Sequence, residues 1–377
     1  MVRISVVACA VLLACNSSRS GGSDAPPGTN GDAPASKTPD APAGKIPDAP
    51  PIKPADAPPP PPDAPPPPPD APPPPPPTGT TTEIYFPSGA PWTQDISTAD
   101  PDDESAAIIG DLAQSGWGLG HLQIDFTITV LRDNGTAPMK SFTQWKGFFF
   151  TPDCDAAPLP VPAWGAIEGE NGLACAHNGD CHLLVVEADK LYEMWRADVG
   201  ASGFRGGCLA IWDRTRVYGP AGRGDGCTSA DAAGYPISAL LFNADEVKAG
   251  HIDHAIRFIL PNDRIRAGLY VHPATHTTDT TGGSSAILYG ARLRLRKDYP
   301  VGSLSAGAQV VARAMQKYGM FLADGGDVAL TAESDRFTLN KWSDLLGPHD
   351  LEAIQVSDFA MMPGGTRVPT NDCQRAP

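Results

Sequence analysis

The chain has 377 residues and a formal net charge of −15, with 42 prolines and 39 glycines. No basic block offsets this charge, so we expect no nucleic-acid partner, since such partners are bound through clustered Lys and Arg. No nucleotide, haem or flavin motif occurs, and we predict neither an organic cofactor nor a metal site.

The amino terminus indicates an export signal, residues 1–14. Arg3 precedes an apolar run that is too short to cross a bilayer as a finished helix. The run ends in Leu-Leu-Ala before Cys15, which resembles the bacterial lipoprotein box. That resemblance implies cleavage before Cys15, attachment of a lipid there and contact with a bilayer. Asn16 follows, which by the same resemblance favours the outer membrane or cell surface. An ordinary secretory signal or an uncleaved anchor is the alternative.

Residues 15–82 are predicted to be a lipidated cysteine and a disordered, proline-rich stalk. Asp-Ala-Pro recurs at intervals of about eight residues, with proline runs after the later copies. Such a segment has too few apolar side chains to offset the entropy of ordering, and proline favours an extended polyproline II conformation. We expect a stiff spacer that holds residues 83–377 clear of a lipid surface.

Residues 83–377 are predicted to form one β-rich domain with a few small helices, of β-sandwich or jelly-roll type. Periodicity and turn residues predict these elements: a helix over 102–113, strands over 121–131 and 142–150, a hairpin over 182–199, strands over 207–212, 251–260, 268–272 and 287–296, a helix capped by Ser303 or Ser305, and helical turns over 341–354.

Six cysteines follow Cys15, and an even number in an exported domain predicts disulfides. Fifteen pairings are possible, and spacing alone does not choose among them. We favour Cys175–Cys181, Cys208–Cys227 and Cys154–Cys373. Zinc is disfavoured because the Cys175–Cys181 spacing is wider than the usual two residues.

Several motifs resemble a family of exported actinobacterial and myxobacterial proteins. They are Trp-Thr-Gln-Asp at Trp92, Leu-Tyr-Glu-Met-Trp at Leu191, Thr-Ser-Ala-Asp-Ala-Ala-Gly at Thr228, Ile-Asp-His-Ala-Ile-Arg-Phe at Ile252 and Lys-Tyr-Gly-Met-Phe-Leu-Ala-Asp at Lys317. The resemblance covers most of residues 92–359 and implies one exported domain without implying an activity. In the family an aromatic residue tends to precede Thr-Ser-Ala-Asp, whereas here it is Cys227, consistent with a disulfide to Cys208.

Glu193 is the first candidate for catalysis. At strand period its neighbours are Leu191 and Trp195, so the carboxylate falls on an apolar, aromatic face. Burial there would raise its pKa, as the general acid of a glycosidase requires. The alternatives are a structural carboxylate that caps backbone amides and a hairpin edge in water.

Asp231 and Ser229 lie in a glycine-flanked loop, where site residues often occur. The alternative is that they hold a turn.

Asp125, on the polar face of the strand over 121–131, is a second possible partner for Glu193. His254 alternates with apolar residues and is either a core histidine or a catalyst, while Arg257 lies on the opposite face.

Tyr270 and His272 could serve proton abstraction from a uronic sugar, with Arg292, Arg294 and Arg296 binding its carboxylates. A solvated strand face is the competing interpretation.

The leading hypothesis is a surface lipoprotein that hydrolyses polysaccharide or envelope glycan with Glu193 as acid and Asp231 or Asp125 as partner. Substrate contacts are assigned to Ser229, Tyr270, His272, Trp195 and Arg257. A non-catalytic carbohydrate-binding or adhesion module is the alternative, and a uronate lyase a further one.

Overall fold

The computed structural model describes Thr82, residues 84–176 and residues 179–376. The predicted signal, Cys15 and the stalk up to residue 81 lie outside the described residues. All described residues belong to one unit of the chain, residues 67–377. Each described helix is too short or too polar to cross a membrane.

The described residues form three α-helices and eighteen short strands, so the prediction of a mainly β domain with a few small helices is confirmed. The helices are α1 (Ser105–Ser115), α2 (Ala244–Ala249) and α3 (Ala306–Lys317). The strands are β1 (Ile124–Ile128), β2 (Val130–Asp133), β3 (Met139–Lys140), β4 (Thr143–Gln144), β5 (Leu159–Pro160), β6 (Leu183–Glu187), β7 (Lys190–Met194), β8 (Asp198–Gly200), β9 (Gly203–Gly206), β10 (Leu209–Asp213), β11 (Ile256–Leu260), β12 (Ile265–Val271), β13 (Ile287–Tyr289), β14 (Arg292–Leu295), β15 (Met320–Gly325), β16 (Leu330–Glu333), β17 (Phe359–Met362) and β18 (Arg367–Pro369).

The largest sheet has six strands in the order β1-β16-β11-β15-β14-β17. The sheet is mixed, because β1 pairs with β16 and β11 with β15 in parallel, while the other neighbours are antiparallel. Helix α3 packs against β14 and helix α1 against β17. The central strands β11 and β15 carry the residues of the candidate site.

A four-stranded sheet, β10-β7-β6-β2, lies between two apolar clusters. Leu184 and Val186 of β6 face the main core, whereas Leu183 and Val185 face a smaller cluster. A strand buried on both faces needs a continuous apolar run, which is why Leu-Leu-Val-Val shows no alternation. This layering of sheet and core is in keeping with a sandwich. Three smaller sheets, β13-β12-β18, β3-β5 and β4-β9-β8, complete the described part.

Several predicted elements are confirmed with small shifts of their ends. Helix α3 begins after Ser305, the cap position, and buries the predicted stripe that includes Val311 and Met315. The hairpin is β6 with β7, whose backbone pairing is antiparallel throughout. The strand predicted over 142–150 is wrong beyond β4. There the chain turns, with Phe148 N donating to Trp145 O, and the aromatic rings stack on arginines instead of alternating across a sheet.

The strand predicted over 287–296 is divided into β13 and β14 at Gly290. Gly290 has φ of 86°, and a Cβ there would lie 1.9 Å from Val271 O, so glycine is required. The expectation that Arg292 and Arg294 form an exposed, ligand-binding stripe is wrong. Both are buried and donate to backbone carbonyls of residues 94–99 and of Tyr318.

The structure contains three disulfides, Cys154–Cys208, Cys175–Cys181 and Cys227–Cys373. Only the predicted Cys175–Cys181 pair is confirmed, and the predicted Cys208–Cys227 and Cys154–Cys373 pairs are wrong. The path of the carboxyl-terminal segment explains why the observed pairs differ from the predicted ones. Gln374 N donates to Asp225 O at 2.7 Å, which places Cys373 beside Cys227.

We expect the Cys227–Cys373 disulfide to stabilise the protein more than the Cys175–Cys181 disulfide does, because it closes a much longer loop. It closes a loop of 146 residues, whereas Cys175–Cys181 closes one of six. The chain-entropy model gives about 5 and about 2 kcal/mol for these loops. Guanidinium unfolding of the double serine variants of each pair measures the difference. A larger loss for the Cys175–Cys181 variant would contradict this ranking.

Candidate functional site

A row of polar side chains crosses four neighbouring strands of the six-stranded sheet. Asp125 on β1 is the register partner of Thr331 on β16. Arg257 on β11 donates to Thr331 Oγ1 at 3.0 Å and to Asp324 on β15. The alternate residues of β11 are buried in the apolar core, so strand alternation places Arg257 on the polar side. We call Asp125, Thr331, Arg257 and Asp324 the polar row.

The loop at residues 228–235 brings Asp231 onto this row. Asp231 Oδ2 accepts hydrogen bonds from Ala233 N at 3.2 Å and Tyr235 N at 3.3 Å, so the carboxylate shapes its own turn. The hydroxyl of Ser229 donates to Tyr235 O at 2.7 Å and accepts from Asp231 N. Ser229 therefore holds the loop closed, which is the structural alternative considered for it.

Arg257 is buried between two carboxylates. Its Nη2 donates to Asp231 Oδ1 at 2.7 Å and lies 3.3 Å from Asp324 Oδ2. The two carboxylate oxygens thus lie within about 6 Å of each other, the sum of these distances. Asp231 is fully buried, whereas the Asp324 side chain keeps 29% of its exposure. Asp324 is therefore the member of the trio that solvent and a substrate can reach.

Burial raises the pKa of Asp231 to about 7, although Arg257 opposes the shift. Burial also raises the pKa of Asp324, with Arg257 and His182 opposing. For Arg257, burial alone would lower the pKa, but Asp231 and Asp324 raise it above its ordinary value. One guanidinium thus serves two carboxyls and does not bring either pKa down to its ordinary value.

His182 and Glu168 form a second ion pair within the field of the polar row. His182 Nδ1 lies 2.6 Å from Glu168 Oε2, and Nε2 lies 3.1 Å from Ala230 O. Both ring nitrogens face acceptors, so the ring is a protonated imidazolium. Burial alone would lower the pKa of His182, but Glu168 raises it to about 9.

The carboxyl groups of this region have pKa values shifted in opposite directions. Burial alone would raise the pKa of Glu168, but His182 and Arg257 lower it below its ordinary value. Burial raises the pKa of Asp125, and Glu168 adds to the rise. Glu168 keeps 20% of its side-chain exposure. A carboxyl with a lowered pKa and a carboxyl with a raised pKa, both partly exposed, are the kind of pair that acid–base chemistry uses.

An aromatic side chain flanks these groups. Trp195 Nε1 donates to Asp180, whose carboxylate raises the pKa of both Asp324 and His182. Trp195 is half-buried and meets Phe148 edge to face, with ring centroids 5.6 Å apart. Trp195, predicted as a substrate contact, is therefore placed beside the charged cluster.

Glu193 lies elsewhere and is fully buried. Its two oxygens accept from Ile237 N at 2.9 Å and Ser238 N at 2.8 Å. Burial raises the pKa of Glu193, as predicted, although these amides oppose the rise. The carboxyl touches no solvent, and its contacts are those of a structural anchor, the alternative considered for it.

His254 is also a structural residue by its contacts. Its Nδ1 donates to Ala255 O at 2.8 Å, and Nε2 lies 3.2 Å from Glu246 Oε1 in the first turn of α2. Burial alone would lower the pKa of His254, but Glu246 raises it. The histidine thus ties the start of α2 to β11, and its hydrogen bonds do not involve the polar row.

Tyr270 and His272 converge on Asp225 rather than on the polar row. Tyr270 Oη donates to Asp225 Oδ1 at 3.2 Å, and His272 Nε2 lies 2.7 Å from the same oxygen. Asp225 O accepts from Gln374 N. These side chains therefore brace the glycine-rich loop against the carboxyl-terminal segment.

The sequence reasoning found Asp125, Asp231 and Arg257 but missed Asp324, Glu168 and His182. Asp324 follows the apolar run Met-Phe-Leu-Ala. This run indicates where a strand ends, but it does not indicate on which face of the sheet the Asp324 side chain lies. Glu168 lies in a segment with little regular structure, where no periodicity predicts a side chain's direction.

Scans of the chain against protein-family models, curated proteins and solved structures found no match. The resemblance to exported proteins therefore stays a prediction, and the site rests on its own geometry. Three of the segments that carry the resemblance, residues 228–234, 252–258 and 317–324, supply Asp231, Arg257 and Asp324.

We expect Glu193→Gln to lower the free energy of unfolding by about 2 kcal/mol, because the new amide group points a donor at one of two backbone N–H groups. Urea unfolding measures the loss. Glu187→Gln on the same hairpin is the matched control. Burial and the neighbouring Asp133 raise the pKa of Glu187, so neutralising it should cost little. Equal losses in both variants would contradict the anchoring role of Glu193.

Proposed function

We propose that the polar row and the His182–Glu168 pair form the active site of a hydrolase that cleaves glycosidic bonds in polysaccharide. The observation that carries this proposal is a pair of partly exposed carboxyls in separate ion pairs, Asp324 at 3.3 Å from Arg257 and Glu168 at 2.6 Å from His182. Burial raises the pKa of Asp324, whereas His182 and Arg257 lower the pKa of Glu168. Glycosidases use one carboxylic acid and one carboxylate in this way.

In this mechanism Asp324 is the general acid and donates its proton to the glycosidic oxygen as the bond to the anomeric carbon breaks. Glu168 is the carboxylate that faces the developing positive charge, either attacking the anomeric carbon or removing a proton from the attacking water. After proton transfer Asp324 is an anion, and Arg257, 3.3 Å away, stabilises it.

The remaining residues position this pair. Asp231 is too deeply buried to touch a substrate, and it holds Arg257 in place. His182 keeps Glu168 ionised. Asp125, with a raised pKa on the same row, is a second carboxyl able to contact a sugar hydroxyl.

Two features favour a sugar polymer as the substrate. Trp195 is half-buried and donates to Asp180, and an indole ring is a surface on which pyranose rings stack. The predicted signal, the lipid on Cys15 and the stalk would hold the domain in the cell envelope at the outer membrane or cell surface. Envelope glycan is the polymer within reach there.

We expect Asp324→Asn and Glu168→Gln each to lower glycan cleavage about a hundred-fold or more, the range of a lost general acid or base. The exported protein with its disulfides formed is incubated with neutral and uronic polysaccharides, and reducing ends and ultraviolet absorbance are followed together. Asp327→Asn is the matched control, because Asp327 is an exposed carboxyl on the following turn.

Three outcomes would contradict this proposal, the first two by excluding hydrolysis and the third by excluding the assigned site. Retention of a glycan on an affinity gel without release of reducing ends would indicate the binding module. Absorbance from an unsaturated product would indicate a lyase. Cleavage that survives both substitutions would place the active site elsewhere.

A further inference from the structure

A cluster of three potential metal ligands lies at the surface and shares no residue with the groups assigned to hydrolysis. It consists of His121, His349 and Glu352, and one ligand atom from each lies within 4.8 Å of the other two. The two imidazole rings have centroids 5.4 Å apart and an interplanar angle of 43°. The side chains of His349 and Glu352 are more than half exposed, so a cation from solvent reaches them.

The two segments that carry these residues are fastened to each other. Ile124 N donates to Pro348 O at 3.0 Å, joining the start of β1 to the turn before His349. Leu122 and Leu351, each next to a cluster residue in the chain, are fully buried. The ligands therefore project from anchored backbone, which lowers the entropy cost of bringing them together around a cation.

Gln123 provides a further polar group at the cluster. Its Oε1 lies 3.2 Å from His121 Nε2. Carbonyl oxygens in this position orient the rings of metal-bound histidines and set their tautomer. Glu352 Oε2 lies 3.7 Å from His349 Nδ1. Two imidazoles and one carboxylate thus converge, with an amide oxygen beside them.

Two other groups of potential ligands among the described residues lack this capacity. One contains Cys227 and Cys373 with Asp153, and the other contains Cys175 and Cys181 with Glu170. In each, both sulfurs are joined in a disulfide, so neither is a thiolate, the form that binds metal. Of the three groups, the histidine cluster alone presents three side chains in a form that binds metal ions.

We propose that His121, His349 and Glu352 bind a divalent transition-metal ion, with zinc as the preferred physiological metal. Imidazole nitrogen suits zinc, copper and nickel, whereas magnesium and calcium prefer oxygen ligands. Three protein ligands leave a fourth tetrahedral position for water or for a donor from another molecule. The site is independent of the proposed hydrolase, since it shares no residue with it.

The test is zinc binding by equilibrium dialysis of the exported, disulfide-bonded protein after removal of metals with a chelator. We expect one zinc ion per chain at micromolar free zinc and no competition from millimolar magnesium. His121→Ala, His349→Ala and Glu352→Gln should each weaken binding about ten-fold or more.

His251→Ala is the matched control, since His251 is an exposed histidine 3.0 Å from the carboxylate of Asp253 but belongs to no such cluster. It should bind zinc as the unaltered protein does. Circular dichroism confirms that each variant is folded. The proposal is overturned if the unaltered protein takes up no zinc at 100 micromolar, or if the cluster variants bind zinc with unaltered affinity.

Discussion

The structure depends on the burial of one guanidinium on the polar side of its largest sheet. A buried charge is costly unless it is paired and hydrogen-bonded, so Arg257 requires partners from several parts of the chain. Thr331 and Asp324 come from the two neighbouring strands, and Asp231 comes from the loop at residues 228–235. The loop conformation and the positions of Thr331 and Asp324 on the strands beside β11 meet this requirement.

The surrounding contacts hold that arrangement in place. Asp231 is fixed by the amides of its own turn, and Cys227, which begins this loop, is joined to the carboxyl terminus by a disulfide. Glu193 anchors the chain that follows the loop through Ile237 and Ser238. The fully buried acids Asp231 and Glu193 thus hold the loop in place, while Asp324 and Glu168, with 29% and 20% of their side chains exposed, also have perturbed pKa values. Perturbed groups that remain accessible are the ones typical of active sites.

The sequence allowed the class of fold, α3, the β6–β7 hairpin and three members of the charged cluster to be predicted, because these depend on local periodicity and loop chemistry. It predicted the apolar surroundings of Glu193 but not its role, since the amides it caps are 44 and 45 residues away. Two of the three disulfide pairings were predicted wrongly for a similar reason. The carboxyl-terminal segment returns to Asp225 through backbone contacts, which the spacing of the cysteines does not show. Glu168 and His182 were missed because tertiary folding alone brings them to Arg257.

We propose that Asp324, although it pairs with Arg257, is a carboxyl whose pKa is raised by folding and which serves as the catalytic acid. The direct test is the free energy of unfolding of Asp324→Asn compared with the unaltered protein from pH 4 to pH 8. A carboxyl whose pKa is raised by folding loses its contribution to stability as the pH rises from about 4 through its folded value, and the amide escapes this loss. The account predicts that the variant equals or exceeds the unaltered protein in stability at pH 8, with the difference growing as the pH rises. A variant less stable at pH 8 by about 3 kcal/mol, the cost of breaking a buried ion pair, would contradict it.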